Sequence, residues 1–302
     1  MKFFNGSANI PLAKHVADEL GMQLGRVDAH IFPDGERRIR IAEPVVDEQV
    51  FVLQTASTPV DSNYMELFFL IDALKRSGAE FVTTIIPYFG YQRQDHVFQD
   101  GEAVSLEVII NILEHIGANR IISFDMHSVK IPSLFTIPVT HVSALPLFAA
   151  QIIHNGWDRK DTVLVSPDMG GIARIKKLSE LLNNMDIASL EKNRNLVSGE
   201  LSGDAIHGVV TGKKRALLID DMIATGKTML LAAERLLQRG ITDVYAFATH
   251  AVFTEEAAEK MEKSKIKSFF VTDTVYIPKE KQFTKLQILS IAREIANTIK
   301  DQ

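Results

Sequence analysis

The stretch Leu217-Leu-Ile-Asp-Asp-Met-Ile-Ala-Thr-Gly-Lys-Thr228 decides the fold. Ala216 to Ile219 is an apolar run that reads as a buried strand. Two acids follow it, Asp220 and Asp221. A small polar turn then runs from Ala224 through Thr225, Gly226 and Lys227 to Thr228, and a helix-forming run extends from Met229 to Gln238. Strand, turn and helix in that order set backbone N–H groups at a helix N-terminus, where a phosphate is stabilised. Adjacent acids on an extended segment point to opposite sides, so one can face a ligand while the other is held by the protein. Gly226-Lys227-Thr228 looks like the end of an ATPase phosphate loop. That motif needs glycine at position 221, and Asp221 stands there.

On either side of this stretch, short β-like runs alternate with helical patterns. Toward the N-terminus the expected strands are Lys2 to Phe4, Val50 to Gln54, Phe81 to Ile86 and Arg120 to Phe124. Helices are expected at Ile10 to Leu20, Asn63 to Ser77 and Ser105 to Ile116, with Ser105 as the cap of the third. The second half repeats the scheme. Its strands are Val163 to Ser166, Ala216 to Ile219, Val244 to Ala248 and Ser268 to Val271, with helices at Gly171 to Leu182 and Met229 to Gln238 and a final helix from Leu286 to Thr298. The alternation predicts an α/β chain of two similar domains, 1–142 and 143–302, each a mostly parallel sheet flanked by helices.

Composition bounds the function. The 302 residues are 46% hydrophobic and 24% charged, as in a globular protein with sizeable cores. A net charge of −5 and no dense basic run argue against a nucleic-acid partner. Cysteine is absent, which excludes disulfides and thiolate chemistry. No apolar run approaches membrane-spanning length and no signal peptide is evident, so the expected location is the cytoplasm.

In open α/β sheets ligands bind beyond the carboxyl ends of strands, and the chemistry-bearing residues cluster there. Phe32-Pro-Asp-Gly-Glu36 is either a surface hairpin or a nucleobase clamp. In the clamp Phe32 stacks on the ring, and Asp34 or Glu36 accepts from an exocyclic amine. After Ile86 comes Tyr91-Gln-Arg-Gln-Asp95. Arg93 suits a phosphate because its planar fork makes paired charge-assisted bonds, and Gln94 stands beside it. Asp125-Met126-His127 and Ser166-Pro-Asp-Met-Gly-Gly171 follow two further strands. Asp168 suits a hard cation or a sugar hydroxyl. Glu191 to Lys214 is a long polar connection whose Lys192 and Arg194 can close on a reacting polyphosphate.

In this order along nearly the whole chain, these stretches resemble the ribose-phosphate pyrophosphokinase family, whose domains have the phosphoribosyltransferase-like fold. The resemblance implies transfer of the β,γ-diphosphoryl group of ATP to the C1 hydroxyl of ribose 5-phosphate, with Mg2+ as cofactor. It implies that Phe32, Asp34, Gly35 and Glu36 clamp adenine in a neighbouring subunit's site, so that the protein is a homo-oligomer, at least a dimer. Arg93 and Gln94 match triphosphate contacts, and His127 and Asp168 match magnesium positions. Asp220, Asp221 and the turn Ala224 to Thr228 match the ribose 5-phosphate loop. Lys192 matches the catalytic lysine and Arg194 its partner at the ribose 5-phosphate. Lys227 departs from the family, which has glycine or alanine there. Phe98 to Ser105 looks more like archaeal-type relatives, which leaves open the phosphate activation and ADP inhibition of the common bacterial class. A phosphoribosyltransferase would share the Asp220–Thr228 loop without needing the clamp or the Lys192–Arg194 pair. A silent regulatory homologue would be expected to lose lid or metal residues.

Overall fold

A strand buried on both faces sends alternate side chains into two cores, and this chain builds its two large sheets that way. The computed structural model describes residues 1–191, 193–194, 201–202, 205–254 and 256–302. They group into two compact units. One comprises 1–142, 274–276 and 290–302, and the other 143–273 and 277–289.

In the first unit the strands Lys2–Asn5, Gln49–Leu53, Phe81–Ile86, Arg120–Phe124 and Val139–Val142 lie side by side in chain order, all parallel. Phe4, Val50, Val52, Val82 and Ile86 join a core with the helices Val60–Arg76 and Ser105–His115. Phe3, Phe51, Leu53 and Ile85, offset by one residue, are buried on the opposite face. The helix Ile10–Leu20 begins where the Asn9 side chain accepts from the Leu12 N–H and ends at Gly21, whose left-handed φ of 66° releases the chain. An antiparallel hairpin, Val27–Ile31 with Arg37–Ile41, forms a separate two-stranded sheet.

The second unit is a seven-stranded sheet. Its strands are, in spatial order, Ile206–Gly208, Ile187–Leu190, Thr162–Ser166, Arg215–Ile223, Asp243–Ala251, Phe269–Thr272 and Leu286–Leu289. All neighbours are parallel except the first pair. Val163, Ala216 and Leu218 meet the helix Lys227–Gln238 on one face. Leu164, Leu217 and Ile219 meet the helices Leu145–His154 and Ile172–Leu181 on the other. The chain steps from Thr162–Ser166 outward to Ile187–Leu190, then returns to the far side of Thr162–Ser166 as Arg215–Ile223. That reversal is the topological switch point, the place where open α/β sheets bind ligands.

The α/β class and the parallel sheets flanked by helices agree with the sequence reading, and three local readings change. The expected helix Leu286 to Thr298 divides: Leu286–Leu289 is an edge strand paired with Phe269–Thr272, and the helix is Ala292–Lys300. Ser290 separates them, its hydroxyl accepting from the Ala292 N–H at 3.3 Å. Ser105 is the first helical residue rather than the cap; Val104 precedes it without a side-chain cap. The strand expected to stop at Ile219 continues to Ile223, because its pairing with Asp243–Ala251 persists through Asp220 opposite Ala248 and Met222 opposite His250. Residues 274–276 and 290–302 group with 1–142 rather than with 143–273.

The terminal helix therefore stabilises the N-terminal unit. Ile295 is fully buried on it. Ile295→Ala is expected to cost about 3 kcal/mol, the usual range for a large-to-small change in a core. Urea unfolding followed by fluorescence checks this; a midpoint within error of the parent would contradict it.

Candidate active site

Two loops flank the switch point, and each is shaped by local rules. Ser166 ends its strand, and its hydroxyl donates to the Asp168 carbonyl at 2.6 Å. The Asp168 carboxylate in turn accepts from the Gly170 N–H at 3.0 Å. A Cβ on Gly171 would lie 2.4 Å from the Ser166 hydroxyl and would have to displace it, and the helix Ile172–Leu181 starts immediately after this glycine. The second loop leaves the strand Arg215–Ile223. Gly226 takes a left-handed φ of 75° and is the N-cap of Lys227–Gln238, with no side chain capping the helix. The Lys227 N–H makes only a long contact, 3.4 Å, to the Thr225 hydroxyl. An uncapped N-terminus beyond a tight turn presents N–H groups and the positive end of the helix dipole to an anion.

Asp220 and Asp221 lie on the strand itself. One side chain reaches both: Arg174 Nη1 is 3.3 Å from Asp220 Oδ1, and Nη2 is 3.6 Å from Asp221 Oδ1. Asp220 Oδ1 also accepts from the Asp221 N–H at 2.9 Å. Burial pushes the Asp220 carboxyl well above the usual carboxylate range; the neighbouring charge of Asp221 and a side-chain hydrogen bond with it add to the rise, and Arg174 offsets part of it. The more distant charge of Asp168 acts in the same direction as Asp221. Asp168, Asp220, Asp221 and Arg174 thus form one charged group inside the second unit. The sequence reading missed Arg174. Its signal is position, three residues past Gly171 on the first turn of a helix that leaves a candidate loop.

In the first unit, Arg93 and Gln94 are exposed in the segment after Phe81–Ile86, and His127 is exposed after Arg120–Phe124. Gln92, almost wholly buried, joins these two segments: its side-chain oxygen accepts from the His127 N–H at 2.9 Å. Tyr91 has a positive φ of 63°, and its hydroxyl donates to Asp61, a partner that holds its pKa above the phenol's usual value. Asp125 is buried at a φ of 29°, a backbone cost of the kind often held at functional sites. His141 Nε2 accepts from the Met126 N–H at 3.0 Å, which assigns the His141 proton to Nδ1.

The hairpin tip carries Phe32, Asp34, Gly35 and Glu36, with Phe32 39% exposed. The tip is tightly built. The Phe32 N–H donates to the Glu36 carbonyl at 2.8 Å, and the Glu36 N–H donates to Asp34 Oδ1 at 3.1 Å. Lys192 lies outside the described residues. Arg194 lies in a two-residue strand paired with Leu201–Ser202, and its side chain is likewise outside the described set.

Comparison with known proteins gives a consistent match. A family model for the N-terminal domain of ribose phosphate pyrophosphokinase matches residues 1–117, and one for the phosphoribosyl synthetase-associated domain matches residues 183–301. The chain is 40% identical to a ribose-phosphate pyrophosphokinase of Fusobacterium nucleatum, covering 99% of this chain and 94% of the relative. It is 39% identical to ribose-phosphate pyrophosphokinase 1 of Streptococcus pyogenes, covering 99% and 93%. The crystal structure of phosphoribosylpyrophosphate synthetase from Mycobacterium smegmatis superposes with a TM-score of 0.91 at 35% identity, covering 99% and 97% of the two chains.

The acid pair makes a pH prediction. Because the Asp220 pKa is raised, the folded protein binds more protons than the unfolded chain between the ordinary carboxylate range and the raised value. Stability without ligand therefore falls as pH rises through that window. Asp220→Asn is expected to raise the thermal midpoint at pH 8 and to flatten the difference between pH 5 and pH 8. Scanning calorimetry at both pH values checks it, and a lower midpoint at pH 8 would contradict it.

Proposed function

We propose a function from a plain premise: the chain belongs to the ribose-phosphate pyrophosphokinase family. The protein is an enzyme that transfers the β,γ-diphosphoryl group of ATP to the C1 hydroxyl of ribose 5-phosphate, giving phosphoribosyl pyrophosphate and AMP for nucleotide biosynthesis. The observation that carries this reading is the pair of acids on a strand at the switch point, directly ahead of an uncapped helix N-terminus. A sugar phosphate fits such a site, with Asp220 and Asp221 accepting from its hydroxyls and the turn Ala224–Thr228 binding its 5-phosphate. This favours the synthetase over a phosphoribosyltransferase once the exposed clamp hairpin and Arg93 are counted, since a transferase has no use for either.

Within this reading Phe32 stacks on adenine, with Asp34 and Glu36 as acceptors. Arg93 holds the polyphosphate through its fork and Gln94 orients it. Asp220 and Asp221 aim C1–OH at the β-phosphorus, converting a bimolecular encounter into a positioned one. Lys192 and Arg194 stabilise charge developing at the β-phosphate and on the departing AMP oxygen.

Among the described residues no three His, Cys, Asp or Glu side chains converge on a point that could hold a metal ion. Half-buried Asp168 offers one hard oxygen donor, and His127 offers a softer nitrogen. Either donor would suit Mg2+ carried largely by substrate phosphates and water, Asp168 as a direct carboxylate ligand and His127 through water or phosphate. When bound, the ion neutralises polyphosphate charge. The exposed clamp is read as serving a neighbouring subunit, so the functional unit is at least a dimer. Among the described residues no helix is long and apolar enough to cross a membrane, and we assign the enzyme to the cytoplasm.

The decisive assay supplies ATP, Mg2+ and ribose 5-phosphate and measures AMP. AMP release that depends on ribose 5-phosphate is expected; well-folded protein that releases none would sink the synthetase reading. Lys192→Ala is expected to lower kcat roughly 100- to 1,000-fold, the scale for removing a transition-state charge donor. Near-normal turnover would remove Lys192 from this role. Asp221→Asn is expected to raise KM for ribose 5-phosphate roughly tenfold or more, as befits a lost charged hydrogen bond of about 1.5–3 kcal/mol.

A further inference from the structure

The clamp hairpin pairs with neither large sheet. An isolated two-stranded ladder is marginal in water, so its direction must be set by something outside it. At its base the partly buried Val27, Ile39 and Ile41 rest on the first unit's core. At the other end the tie is polar. Arg37 stands opposite Ile31 in the last ladder pair before the Phe32–Glu36 tip. Its Nη1 lies 2.5 Å from Glu66 Oε2, and its Nη2 donates to the Ser62 hydroxyl at 3.2 Å. Both partners lie on the helix Val60–Arg76. The Arg37 side chain is 16% exposed and that of Glu66 only 3%. Glu66 is itself fixed, accepting from the Ser7 N–H and hydroxyl and from the Gln54 amide at 3.1, 2.5 and 3.0 Å.

We propose that Arg37 and Glu66 are positioning residues for nucleobase recognition. Their buried ion pair sets the direction and reach of the clamp. The inference rests on the clamp reading given above. The tip is internally braced by its own backbone bonds, so it moves as a body, and the anchor nearest to it decides where the aromatic ring points. A forked guanidinium can hold Glu66 and Ser62 together, whereas a lysine can hold only one of them well. The consequence is selective: nucleotide affinity depends on the pair, and sugar-phosphate affinity does not.

The test uses the full-length protein and a non-hydrolysable ATP analogue, with binding measured by calorimetry beside KM for ribose 5-phosphate. Arg37→Met is expected to weaken analogue binding at least tenfold and to leave KM for ribose 5-phosphate within twofold. Arg37→Lys is expected to recover part of the loss, and Arg37→Met with Glu66→Gln to be no worse than Arg37→Met alone. Arg37→Lys keeps a cation beside Glu66, so it gives a folded protein to measure should Arg37→Met not fold; full analogue affinity in Arg37→Lys would overturn the proposal. Equal losses for both substrates would overturn it too. Phe32→Ala separates the two levels. If it weakens analogue binding while Arg37→Met does not, the anchor alone is wrong. If Phe32→Ala changes nothing, the clamp and its anchor fall together.

Discussion

The second unit's chemistry depends on one guanidinium held against two carboxylates. Adjacent acids on a buried strand repel each other and lose hydration, and the raised pKa of Asp220 records that cost. Arg174 makes the arrangement tolerable by reaching both at 3.3 and 3.6 Å. Its place is fixed by the glycine turn before its helix, because the Ser166 hydroxyl occupies the space a Cβ on Gly171 would fill. A strand end, a glycine turn and a cation are therefore coupled. The site is held ready at some expense in stability, a common condition of functional sites.

Much of this was legible in the sequence. The alternation of apolar runs with helical patterns yields the parallel sheets, since strands buried on both faces must be apolar at successive positions. Asp220 through Thr228 mark a strand end, a turn and a helix start because backbone geometry there follows from residue type. What stayed hidden depends on distance in space. Arg174 is one of many arginines until the sheet order sets its helix beside the acids. The division of Leu286–Thr298 was hidden because Leu286, Ile288 and Leu289 satisfy a strand or a helix pattern equally well, and only an open sheet edge at Phe269–Thr272 decides between them.

The same holds for the first unit. Phe32-Pro-Asp-Gly-Glu36 announces a turn, and the hairpin is observed. Nothing local announces that the next residue reaches a helix some thirty positions on. Gln92 is similar: its neighbours Arg93 and Gln94 carry the legible chemistry, while its own side chain ties their segment to the one after Arg120–Phe124 through one bond from the His127 N–H.

The path of the chain has a consequence for how the protein is made. Residues 274–276 and 290–302 belong to the unit that begins at the N-terminus, and residues 277–289 to the other. As synthesis proceeds from the N-terminus, the unit begun first is completed last. Its core near Ile10–Leu20 must wait for Ala292–Lys300, which is made long after the rest of that unit. Until then the growing chain carries an apolar surface without its cover, the kind of exposure that chaperones shield. A cut at 142/143 would therefore strip the first unit of residues 274–276 and 290–302, leaving its apolar surface open.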